Sequence, residues 1–108
     1  MAREISEADW KLFRQLLPLA LERCCAGTLA EFGQLASETG KTAHARYLAV
    51  FRLLQRRDKE LAEAFDGLRR STAFVQLAIL RARGLLTDEE FARFSPEARA
   101  VVGVYQGE

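Results

Sequence analysis

The sequence predicts an all-α domain, a compact bundle of five to six helices with no sheet. Three observations carry this. Apolar residues recur at intervals of three and four along most of the 108 residues. No stretch alternates with a period of two for more than a few positions. The Gly, Pro and hydroxyl residues fall where helix caps belong rather than where hairpin turns do.

Each element follows from its own residues. Ser6 before Glu7, Ala8 and Asp9 is a hydroxyl cap with an acidic first turn, and Trp10, Phe13 and Leu17 follow at helical spacing. Pro18 lacks an amide donor, so the helix is expected to break or kink near Leu17 and restart. Leu21, Cys24, Thr28, Phe32 and Leu35 continue the pattern to about Ser37, with Gly27 a weak point and Gly40 the stop. Thr42 caps what reads as the longest helix, with the stripe Tyr47, Phe51, Leu54, Leu61 and Phe65. Asp58 interrupts that stripe, which places it at a wet edge or beside a buried cation.

Asp66 and Gly67 close the long helix. Ser71 is the expected cap of the next, whose residues from Thr72 to Leu80 are apolar on nearly every side, as befits the centre of a bundle. Gly84 ends it. Thr87 and Glu90 form a capping box for a short helix through Phe91 to Phe94, and Ser95 with Pro96 starts the last, lined by Ala98, Val101, Val102 and Tyr105. Residues 106–108 are expected to fray. The predicted core comprises Trp10, Phe13, Leu21 and Phe32, then Tyr47, Phe51, Leu54 and Phe65, then Phe74, Leu77, Phe91 and Val102.

Composition narrows the function classes. At 49% hydrophobic and a net charge of +1 the chain is long and apolar enough for one ordered domain. No apolar run approaches the roughly 18 residues that cross a bilayer, and Met1 to Trp10 shows no export signal, so a cytoplasmic location without membrane attachment is expected. Cys24 and Cys25 are adjacent, which in a helix turns their side chains about 100° apart. With the lone His44 they match no zinc pattern, and both are expected as small buried hydrophobes. No metal or cofactor site is readable. His44 falls in a helical first turn, where the dipole opposes protonation, and no phosphate loop, dinucleotide signature or H-E-x-x-H occurs. A non-catalytic role is therefore expected.

Charge is unevenly spread. Residues 1–40 carry a net −2, residues 41–83 a net +6 and residues 84–108 a net −3. The basic middle includes a candidate nucleic-acid surface at Arg52, Arg56, Arg57 and Lys59. Against it, the helix after Gly67 is too apolar to read bases. Arg69 and Arg70 stand at a helix start, where the dipole disfavours cations. Either an internal acid offsets them, Asp58 with Arg70 being the candidate interhelix ion pair, or Arg69, Arg70 and Ser71 contact an external anion or partner. The leading expectation is a small protein-interaction or adaptor domain acting through helix contacts, with self-association or a protein partner. It rests on a surplus of large apolar side chains over what so small a core can absorb. Nucleic-acid binding is the alternative; a small anionic ligand or an enzymatic role comes third.

Overall fold

The computed structural model describes residues 4–107. It contains five α-helices and one 3-10 turn, and no strand occurs among the described residues. Ser6 opens α1 (Glu7–Ala36) by accepting a hydrogen bond from the Asp9 amide at 3.2 Å. Pro18 lies inside this 30-residue helix and does not divide it, contrary to the sequence expectation. A proline removes one amide donor, which would have served the Arg14 carbonyl four residues back. Arg14 and Pro18 are both exposed, so water can serve that carbonyl and the helix continues. α1 is consequently longer than α2, reversing the expected order.

After a turn through Gly40 at φ +84°, Thr42 accepts from the Ala45 amide and opens α2 (Ala43–Phe65), antiparallel to α1. Gly67 at φ +64° then reverses the chain. The next helix begins later than expected. Arg70–Thr72 form a 3-10 turn, α3 (Ala73–Ala82) follows it, and the hydroxyl at work there is Thr72, while Ser71 is exposed. Thr72 Oγ1 accepts from the Arg69 amide and donates to Gln76 Oε1. The buried Gln76 in turn donates to the carbonyls of Ala64 and Asp66, satisfying the open end of α2.

α3 is the axis of the folded head. Ala73, Leu77 and Leu80 are fully buried, with Phe13 of α1 and Val102 of α5 (Pro96–Tyr105). Each such large side chain contributes about 1.5–3 kcal/mol relative to exposure. Phe94, Leu85 and Leu86, absent from the predicted core, are buried beside them, while Trp10, Phe65, Phe74 and Phe91 pack at its margin. The capping box of α4 (Asp88–Ala92) forms between Thr87 and Glu90. Ser95 caps α5 and also donates to the buried Asp9, at 3.0 Å from its amide and 2.6 Å from its hydroxyl, so one carboxylate joins the starts of α1 and α5. Gln106 closes α5, its amide bonded to the Val102 and Gly103 carbonyls, and Gly107 follows at φ +80°; Glu108, the last of the three residues expected to fray, lies outside the described residues.

The molecule is elongated rather than compact. Its extents are 55 × 25 × 25 Å and its radius of gyration is 16.9 Å, against about 13 Å for a globule of this length. The reason is the α1–α2 hairpin, which projects beyond the head as a two-helix arm. Between residues 21 and 63 only Leu53 is buried. Among the described residues no helix is long and apolar enough to cross a membrane.

Candidate interaction face

The arm has two sides of different character. Towards the head, arginines bind it down. Arg23 of α1 makes a bidentate pair with Glu90 of α4, at 2.7 and 3.0 Å, and donates to the Leu85 carbonyl. Arg83 at the end of α3 donates to the Glu60 carbonyl at 2.6 Å and lies 3.4 Å from Glu63. Arg57 of α2 clasps Glu31 of α1 through two bonds of 3.0 and 2.9 Å and also grips Glu60. The hydrogen bonds to Glu31 and then Glu60 hold Arg57 protonated, and Arg57 holds the Glu31 carboxyl below its ordinary range. Glu90 is drawn down to about 2, chiefly by its bonds to Arg23 and then by the Thr87 amide of its own capping box. At the arm's tip Arg46 donates to the Ala36 carbonyl at 2.7 Å, capping the last turn of α1.

Away from the head the arm is apolar and uncovered. Leu29 is 66% exposed, Tyr47 67% and Phe51 50%, with Leu54 at 42% and Phe32 at 38%. Leu21, Phe32, Tyr47, Phe51 and Leu54 were all expected in the core. They share a helix face that has no third helix over it, because α3, α4 and α5 all lie on the opposite side. Cys25, Leu29, Leu54 and Leu61 border one shallow depression of about 240 Å³ on this side, together with Asp58. Cys25 is exposed here and not buried as expected, whereas Cys24 turns into the α1–α2 seam, where burial, and then the neighbouring Cys25, push its thiol up.

The sequence-derived site residues do not converge. Asp58 and Arg70 form no pair: Asp58 stands exposed on the arm, while Arg70 bonds Glu7 of α1 and stacks 5.6 Å from the Trp10 ring. Glu7 reaches Arg70 because the first turn of α1 ends beside the start of α3, a proximity invisible at a separation of 63 residues. Arg69 and Ser71 are exposed beside that pair. Of the basic surface, Arg57 is withdrawn into its two carboxylates. Arg52, Arg56 and Lys59 are exposed on the outer side of α2 and, among the described residues, form no ion pair.

Sequence reasoning missed Leu29 and the Arg23–Glu90 clamp. A signal for the first was present. Cys25, Leu29, Phe32 and Ala36 form a helical stripe that shares Phe32 with the one chosen, Leu21, Cys24, Thr28, Phe32 and Leu35; of the latter, Cys24, Thr28 and Leu35 lie at the seam with α2. For the second, Glu90 read fully as a capping residue, and nothing local marks a long-range partner. Set against known proteins, the chain matches no family model, no curated protein and no solved structure.

Proposed function

We propose that this protein is a non-catalytic interaction module whose working surface is the apolar side of the α1–α2 arm. The observation that carries the reading is the exposure of Leu29, Phe32, Tyr47, Phe51 and Leu54 on one side of a projecting hairpin, while the head has a filled core of its own. Scattered apolar residues on a surface need no explanation, but a contiguous strip along two adjacent helices does. Such a face suits another pair of helices, since ridges on both helices offer grooves for side chains.

Incorporating the photoreactive residue benzoylphenylalanine at Phe51, and as a control at the exposed Arg99 of α5, tests the reading in the source cell. Irradiation yields a discrete heavier adduct from position 51 and none of the same mass from position 99. No adduct from position 51 overturns it.

A second reading, binding of a nucleic acid, is supported by the exposed Arg52, Arg56 and Lys59. It is the weaker one, because Arg57, Arg70, Arg81 and Arg83 spend their charge on Glu31, Glu7, Asp88 and Glu63 within the fold.

A further inference from the structure

If the arm is an interaction face, the pattern of residues on it identifies the occupant. On α1 the outward stripe has Cys25, Leu29, Phe32 and Ala36 at its centre, with Leu21 beyond them towards the head; on α2 the central four are Tyr47, Phe51, Leu54 and Asp58, with Leu61 beyond. The central four of each helix follow intervals of four, three and four. Such a series reads the same in either direction, so each stripe can lie antiparallel against itself with every position matched.

The two stripes are also level. Their midpoints fall between Leu29 and Phe32 on α1 and between Phe51 and Leu54 on α2, and Leu29 and Leu54 border the same depression. One two-fold axis through the middle of the hairpin therefore serves both helices at once. Across it, Leu29 meets Phe32 of the other molecule and Phe51 meets Leu54, while Cys25 meets Ala36. The one remaining pair is Tyr47 with Asp58, the only two polar groups in the α2 stripe. A phenol O–H facing a carboxylate is a matched donor and acceptor, and it accounts for the Asp in an otherwise apolar row.

We propose that a second copy of this chain covers the arm, antiparallel, forming a four-helix bundle with a head at each end. This rests on the interaction-face reading and names its partner. At about 200 Å² for a large side chain, the exposed fractions of Leu29, Phe32, Tyr47, Phe51 and Leu54 amount to roughly 500 Å² of apolar surface per molecule. With the flanking polar atoms this approaches the ~800 Å² per partner of a stable interface. Charge does not oppose it. At about 100° per residue, Arg52, Arg56 and Lys59 lie about 110° or more around α2 from the centre of the stripe, outside the contact. The heads do not collide, since Arg83 and Leu85 meet the hairpin on the side of Arg23, Gly27 and Glu60, opposite the stripe.

Sedimentation velocity on the full chain from about 1 to about 300 µM tests this. The wild type runs at twice the 12.2 kDa of one chain over the upper part of that range. Phe51→Glu runs at 12.2 kDa throughout while keeping its helical circular dichroism, because Phe51 is half exposed in the single molecule. Tyr47→Asp, which sets two carboxylates face to face, weakens the dimer by about tenfold or more, and adding Asp58→Lys restores it to within about threefold of wild type. A wild type of 12.2 kDa at every concentration overturns the second-copy proposal. Should position 51 still crosslink to a different protein in the cell, the interaction face stands and only its occupant is wrong. A dimer indifferent to Phe51→Glu overturns the choice of face, and a charge swap that fails to restore Tyr47→Asp overturns the antiparallel register.

Discussion

Glu90→Gln removes the charge from the clamp between α4 and α1 while keeping a side chain of the same shape. A carboxyl held at about 2 in the folded protein, against 4.5 ordinarily, corresponds to at most about 3 kcal/mol of stability. Its side chain is 15% exposed and that of Arg23 33%, so water screens the pair and about 1–2 kcal/mol is the expected loss at neutral pH. The sign follows from the direction of the shift. The folded protein binds the Glu90 proton less tightly than the unfolded chain does. The contribution is thus full above about pH 4.5 and disappears as the pH falls towards 2. Urea unfolding of both proteins between pH 7 and pH 2 measures it. The stability difference should be constant down to about pH 5 and then close towards zero. Other carboxylates drawn down by partners, such as Glu31, act equally in both proteins and cancel. A difference that keeps the same size at pH 2 and at pH 7 would refute the claim that charge, rather than packing or the Thr87 cap, is what Glu90 contributes.

Two further substitutions probe the head and the long helix. Leu77→Ala empties a fully buried site on α3 and should cost about 3 kcal/mol or more, lowering the thermal midpoint by roughly 12 °C; a loss below about 1 kcal/mol would mean α3 is not the axis of the core. Pro18→Ala restores the amide missing from the middle of α1 and should stabilise the protein by about 1–2 kcal/mol in urea unfolding, less than the full helix-interior penalty because proline also restrains the unfolded chain. A destabilised Pro18→Ala would show instead that the packing of the head depends on a bend at that position.

The caps were legible because capping chemistry is local. Ser6, Thr42, Thr87 and Ser95 each accept from an amide three residues on, and the residues concerned lie side by side in the sequence. The central position of α3 was legible for a related reason, since a helix apolar on every side has no face to offer water. What escaped was long-range pairing. Arg70 had Asp58 as its candidate partner twelve residues back in the chain, and its actual partner is Glu7, brought alongside by the packing of α1 on α3. Arg57 read as surface charge until α1 supplied Glu31 from across the hairpin. The expected break at Pro18 does not occur, because a helix-breaking tendency worth a few kcal/mol was weighed without the neighbours that hold the helix on either side of it.

The error about the arm has a different origin, and the sequence held the means to avoid it. Periodicity reports which side of a helix is apolar and is silent on whether anything covers that side. Length supplies the missing constraint. At about 1.5 Å per residue, α1 and α2 run about 45 and 35 Å, whereas α3, α4 and α5 have ten, five and ten residues and reach no further than about 15 Å each. No one of these rods can cover a hairpin of that length, and in the fold they gather on one side of one end. A six-turn apolar stripe in a chain whose last three helices are each three turns or shorter therefore points to surface left over within a single molecule. The self-match within that surplus, Tyr47 falling opposite Asp58 when each stripe lies antiparallel on itself, rather than its mere presence, is what favours a second copy over an unrelated partner. An unrelated helix has no reason to require that a phenol and a carboxylate stand at equal distances on either side of the centre of one stripe.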